Sequence, residues 1–226
     1  MKYKLENKVL LIDFDSTFIQ LETIDELANT TLDSDPNKSE KLNLINSLTN
    51  RAMSGEISFS KALDQRLQIL KINKKDIDFV VRVLSNKISN SFKRNKNFIK
   101  SFSDKIWIIS GGFTQIINPI VEQYGISTQR VIANTFLISN GKVTGVDPQN
   151  IMSQDKGKIK AINKLNIVGT SFMVGDGYTD YEVFLDKAVN HFIYYAENIS
   201  RKEVITKTKN IANTFEEVLI LASKLD

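Results

Sequence analysis

Three short apolar runs constrain this chain most: residues 8–14 (KVLLIDF), 105–110 (KIWIIS) and 170–175 (TSFMVG), each leading into acidic residues, glycine or both. They are too short for helices and apolar throughout, which is the pattern of parallel strands covered on both faces. Helical patterns separate them. After Gly111-Gly112, apolar residues recur at Ile116, Ile117, Ile120, Val121 and Tyr124 up to Gly125, and further helices are predicted over residues 156–165 and 214–225. Shorter strands are predicted at residues 130–133 and 191–195. Strands alternating with helices define an α/β fold built on a parallel sheet.

Residues 23–93 break this rhythm, because only helical spacing appears there: Leu42, Ile45, Leu48, Ala52; Phe59, Leu63, Leu67, Leu70; Ile77, Val80, Val81, Leu84, Ile88. The segment reads as an all-helical insert between core segments 1–22 and 94–226. Thr23-Ile24-Asp25-Glu26 has the form of a capping box and predicts a helix starting just after Glu22, and Asn73 to Asp76 predict another start. Asn140-Gly141, between two alternating stretches within residues 131–146, predicts a β-hairpin.

Composition limits the chemistry. With no cysteine and one histidine, His191, the chain lacks material for a disulfide framework, a thiolate nucleophile, a zinc site or a Ser-His triad. The net charge of +4 is spread along the chain, with no basic block carrying interleaved aromatics, so nucleic acid is not an expected partner. The polar start, residues 1–8, lacks the form of a signal peptide, and no run suits a membrane span, so a cytoplasmic location is expected.

Carboxylates cluster at predicted strand ends, where open α/β sheets bind ligands. Asp13 and Asp15 end the first run, and residues two apart in extended chain share a side. Asp176 and Asp180 end the third, in GDGYTD. Three or four carboxylates without His or Cys form a ligand set for Mg²⁺, which points in turn to phosphate. Ser110-Gly111-Gly112 offers a hydroxyl and backbone N–H groups before a helix, suited to an anion, and Lys156 of the Lys156-Gly157-Lys158 run could add a positive charge.

These motifs, in this order, resemble those of the haloacid dehalogenase superfamily, and closely its phosphoserine phosphatase branch; Ile24-Asp25-Glu26-Leu27-Ala28, Arg51-Ala52-Met53, Phe59 and Arg66-Leu67 extend the likeness beyond the four motifs. The resemblance implies a Rossmann-like core with a helical cap and a small hairpin flap. It implies Asp13 as the nucleophile forming an aspartyl phosphate, and Asp15 as general acid and then base. Mg²⁺ would be held by Asp13, the backbone carbonyl of Asp15 and Asp176, with Asp180 behind. Ser110, Gly111 and Lys156 would hold phosphate. Glu22 would bind a substrate ammonium and Arg66 its carboxylate, with Met53, Phe59 and Thr179 lining the substrate cavity.

The implied substrate is a small phosphomonoester, L-phosphoserine first; another amino-acid-like or amino-alcohol phosphate, or a silent phosphate-binding module, stays open. The expected assembly is a monomer or homodimer. Departures from the branch pattern are Ser54 in place of glycine, a long stretch at 29–49, Gln154-Asp155 before the third motif, and the loop AENISR at 196–201, which lies near the expected phosphate pocket.

Overall fold

The computed structural model describes residues 5–225, so the first residues of the polar start and Asp226 lie outside it. Six parallel strands form the central sheet: β1 (Lys8–Ile12), β2 (Ile106–Phe113), β3 (Val131–Asn134), β6 (Thr170–Gly175), β7 (His191–Tyr195) and β8 (Ile211–Ala212), in the order β3-β2-β1-β6-β7-β8. The strand order reverses beside β1, the place where such sheets open a crevice at their carboxyl ends.

The continuous apolar run of β1 follows from its central place. Leu10 and Ile12 face one core while Val9 and Leu11 face the other, and all four are buried. β6 repeats this, with Phe172 and Val174 on one side and Met173 on the other. Each such side chain contributes roughly 1.5–3 kcal/mol of burial free energy.

Between β1 and β2 the chain is helical: α1 (Thr23–Thr31), α2 (Lys38–Met53), α3 (Phe59–Ile69), α4 (Lys74–Ser85), α5 (Asn90–Arg94) and α6 (Lys96–Ser101). Asn73 and Asp76 cap α4 reciprocally, as their spacing predicts. Thr23 does not cap α1: it is the first helical residue, and both its N–H and its hydroxyl go to Asp15 Oδ1. A capping residue has been diverted to a carboxylate outside the helix.

The remaining helices are α7 (Thr114–Val121), α8 (Gly157–Ile162), α9 (Tyr178–Leu185), α10 (Lys202–Ile205) and α11 (Phe215–Lys224). The Asn140-Gly141 hairpin is present as β4 (Phe136–Ser139) and β5 (Lys142–Val146). Its predicted first arm is shorter than residues 131–146 suggest, because 131–134 pair with β2 in the main sheet instead. Among the described residues, no helix is long and apolar enough to cross a membrane.

Candidate active site

Two adjacent strand ends bring the acids together. The Asp13 N–H donates to Val174 O at 2.9 Å, continuing the β1–β6 ladder one residue past β1. Ser16 then takes a left-handed conformation (φ +52°) and its N–H donates to Leu21 O, a tight turn that folds Asp15 back over the strand end. At the end of β6, Asp180 reaches back from the first turn of α9 to accept from the Gly177 N–H at 3.1 Å. A Cβ on Gly175 would lie 2.3 Å from the Asp180 carboxyl carbon, so only glycine allows this approach. One oxygen from each of Asp13, Asp176 and Asp180 lies within 4.8 Å of the others, and all three residues are buried. The carboxylate of Asp15 stands apart from that group, held by Thr23.

The cation opposite the acids is not the lysine that the sequence singles out. Lys156 was expected at the phosphate, but it occupies the cap position of α8 in a left-handed conformation (φ +59°), more than half exposed, and pairs with Asp186 at 3.1 Å. Lys158, one residue inside the helix, is buried and donates to Asp13 at 2.9 Å and Asp180 at 2.6 Å. Burial alone would push its ammonium pKa down; the charges of Asp13 and Asp180 overcome this and hold it well above the ordinary lysine range.

A second buried cation, Arg201, escaped sequence reasoning. Its Nε donates to Asp176 Oδ2 at 2.7 Å and its Nη2 to Glu22 Oε1 at 3.1 Å, and Glu22 also accepts from the Ser16 hydroxyl at 2.7 Å. The only signal for it was its place at the end of the unusual loop 196–201.

Charge is not balanced. Asp13, Asp15, Glu22, Asp176 and Asp180 face three cations, Arg66, Lys158 and Arg201. Burial, joined by the neighbouring negative charges, pushes Asp176 up to about 7 despite Arg201, and Asp180 up to about 8 despite Lys158. Asp15 is raised well above the carboxylate range, by burial and then by Glu22. Excess buried negative charge on hard oxygen donors fits a divalent cation of the Mg²⁺ type.

A thermal prediction follows from the sign of these shifts. The metal-free folded protein binds more protons than the unfolded chain between about pH 4 and 8, so ionising Asp176 and Asp180 costs stability as pH rises through that window. Mg²⁺ needs the ionised forms. The rise in Tm on adding Mg²⁺ is therefore expected to be small near pH 5.5 and several degrees near pH 8, and absent in Asp176→Asn, as measured by scanning calorimetry. An equal rise at both pH values would contradict this.

A cavity of about 30 Å³ touches Asp13, Asp15, Glu22, Lys158 and Thr179 of the core and Met53, Phe59 and Arg66 of the helical insert. It has room for little more than a water molecule or two. The sequence-chosen residues thus converge, Lys156 excepted. Ser110 is buried within β2, three residues before its end, its hydroxyl accepting from the Gly112 N–H at 3.0 Å. Ser110 Oγ and Asp15 Oδ2 lie 3.2 and 3.4 Å from the point where a Gly112 Cβ would stand, so both border the same spot. Gly111 carries the Phe59 ring against it, with ring atoms 2.6 Å from its Cβ position.

Arg66, 4% exposed, donates through Nε to Ala62 O and through Nη1 to the Thr49 hydroxyl, each at 3.1 Å. Neither partner is charged. Among the described residues it forms no ion pair within 4.0 Å, unlike Arg201.

The motif order, the three clustered carboxylates and the sheet-end position agree with comparisons to known proteins. The family model for haloacid dehalogenase-like hydrolases matches residues 10–184. Phosphoserine phosphatase of Drosophila melanogaster is 28% identical over 95% of this chain and 77% of its own length. Phosphoserine phosphatase of Methanocaldococcus jannaschii is 30% identical over 79% of this chain and 82% of its own. The crystal structure of a phosphoserine phosphohydrolase-like protein from Francisella tularensis superposes with a TM-score of 0.83 at 30% identity, covering 95% of this chain and 99% of that one. The chain belongs to the haloacid dehalogenase-like hydrolases, on their phosphoserine phosphatase branch. Its activity class is phosphoric monoester hydrolysis.

Proposed function

We propose that this protein hydrolyses L-phosphoserine to L-serine and phosphate through an aspartyl phosphate on Asp13, with Mg²⁺ as cofactor. The observation that carries the substrate reading is Arg66: a buried guanidinium on the wall of the cavity that contains Asp13, with no carboxylate among the described residues within 4.0 Å of it, although Glu22 and Asp25 lie near enough to favour its charge. A substrate carboxylate supplies the missing partner by a bidentate contact. Glu22, lining the same cavity from the core, is the acceptor for a substrate ammonium, although it is already shared with Arg201.

Asp13 attacks phosphorus as the bond to the serine oxygen breaks, and Asp15 gives that oxygen its proton. Burial and the charge of Glu22 raise its pKa, which favours the protonated form that this step needs. Thr23 holds Oδ1 and leaves Oδ2 on the side of Ser110, where the reacting groups meet. Asp15 then takes a proton from water as water attacks the acyl phosphate, which returns Asp13 and releases phosphate. Lys158 holds Asp13 and balances charge on the phosphoryl oxygens with the Ser110 hydroxyl and the Gly111 N–H. Mg²⁺, held by Asp13, Asp176 and the Asp15 carbonyl with Asp180 behind, would neutralise phosphate charge so that one anion can approach another. The helical insert, residues 23–93, acts in this reading as a cap that closes over substrate and excludes water.

The test is phosphate release with Mg²⁺ from L-phosphoserine, L-phosphothreonine, phosphoethanolamine and a sugar phosphate. L-phosphoserine is expected to dominate. Arg66→Ala is expected to lower kcat/KM for it by roughly 100-fold while leaving phosphoethanolamine, which has no carboxylate, within a few fold of wild type. Equal losses on both substrates would remove Arg66 from carboxylate recognition. Preference for phosphoethanolamine in the wild-type protein would overturn the serine assignment and keep the phosphatase chemistry.

A further inference from the structure

Beside the small cavity at Asp13 lies a larger one of about 360 Å³, between residues 52–59 of the helical insert and the 152–159 segment of the core. The two cavities share Phe59, Gly111, Lys158 and Thr179 as walls, so the Phe59 ring packed on Gly111 helps to partition them. Phe59 is the first residue of α3, and the start of that helix is tied to the core by one side chain. Asp155 Oδ1 accepts from the Ser60 N–H at 3.2 Å and from the Ser60 hydroxyl at 2.5 Å, while Ser58, the cap residue of α3, accepts from the Lys61 N–H. A carboxylate from 95 positions away thus satisfies a first-turn amide of α3 and lies at the positive end of its dipole.

We propose that Asp155 is a positioning residue, which fastens the start of α3 to the core so that Phe59 stays over Gly111 and Arg66 stays aimed at the Asp13 cavity. The tie joins the two segments that must be in register for reaction. Asp155 lies three residues before Lys158, and Ser60 lies between Phe59 and Arg66 on one rigid helix. Because Asp155 is exposed, hydrogen-bonds to the insert through Ser60 and belongs to neither hydrophobic core, its loss frees the helix start without opening either core. The consequence for turnover rests on the phosphatase reading above; the tie does not.

The test compares Asp155→Ala, Asp155→Asn and Ser60→Ala with wild type in two measurements. Hydrogen exchange without substrate is expected to show roughly three- to tenfold less protection for the amides of residues 58–62 in Asp155→Ala, with the strands of the central sheet unchanged. Asp155→Asn, which keeps the acceptor oxygen, is expected to recover most of that protection. Steady-state kinetics on the best substrate are expected to show KM raised by a similar factor with kcat within about twofold, because the closed arrangement must then be formed at substrate expense. The double variant Asp155→Ala with Ser60→Ala is expected to be no worse than Asp155→Ala alone.

Unchanged protection at 58–62, or protection lost equally throughout the sheet, would overturn the tie. Lost protection with an unchanged KM would overturn its role in positioning. If no phosphate ester in the panel is turned over, the exchange result still decides the tie, and only the phosphatase reading fails.

Discussion

Asp13→Asn is expected to abolish phosphate release, by roughly 10⁴-fold or more, while leaving the protein folded. The amide has nearly the shape of the carboxylate but no charge with which to attack phosphorus, so in the proposed mechanism no acyl phosphate forms. Stability should not fall with activity. Asp13 raises the cost of ionising Asp15, Asp176 and Asp180, and removing its charge relieves a buried excess of negative charge. Lys158 keeps Asp180 as a partner at 2.6 Å, so no cation is stranded. The Tm of metal-free Asp13→Asn is therefore expected to equal or exceed that of wild type, and phosphate release and calorimetry on one preparation check both halves. Residual turnover above a few per cent would deny Asp13 the nucleophile's role. A collapsed Tm would instead show that the site's charge balance has been misread.

How much of this was legible in the sequence differs residue by residue. β1, β2 and β6 were readable because strands covered on both faces are apolar along their length, and their ends in acid or glycine mark where the chain leaves the core. The carboxylates came with them. Thr23 was misread because a side chain that can cap a helix can equally well serve a buried acid, and local sequence does not say which acceptor lies closer. Arg201 was invisible for a related reason: its partners, Asp176 and Glu22, are 25 and 179 residues away, and nothing local distinguishes it from a surface arginine.

The lysine was decidable. From Lys158, positions three and four further on are Ala161 and Ile162, both buried, so Lys158 lies on the inner face of α8. From Lys156 the corresponding positions are Ile159 and Lys160, and Lys160 is exposed. Gly157 sharpens this, because the helix begins there and packs close to the 151–152 backbone, which leaves Lys156 outside the first turn.

That reassignment carries the second large effect. Lys158→Ala is expected to lower kcat by roughly 10³-fold, since in the proposed mechanism it removes the cation that holds Asp13 and balances the phosphoryl oxygens. It should also cost roughly 3–5 kcal/mol of stability at neutral pH, because two carboxylates, at 2.9 and 2.6 Å from the ammonium, lose their nearest cation in a buried place. Lowering the pH should restore part of that stability, as Asp180 takes up a proton that the ammonium no longer opposes. Lys158→Met, which fills the same space without charge, separates the lost packing from the lost charge. If charge is what matters, Met should be as inactive as Ala. Lys156→Ala is the internal control: its ammonium faces Asp186 at the surface, so activity and Tm should match wild type. If Lys156→Ala lost activity and Lys158→Ala kept it, the original reading of the third motif would stand, and the geometry around Asp13 would have to be reorganised when substrate binds.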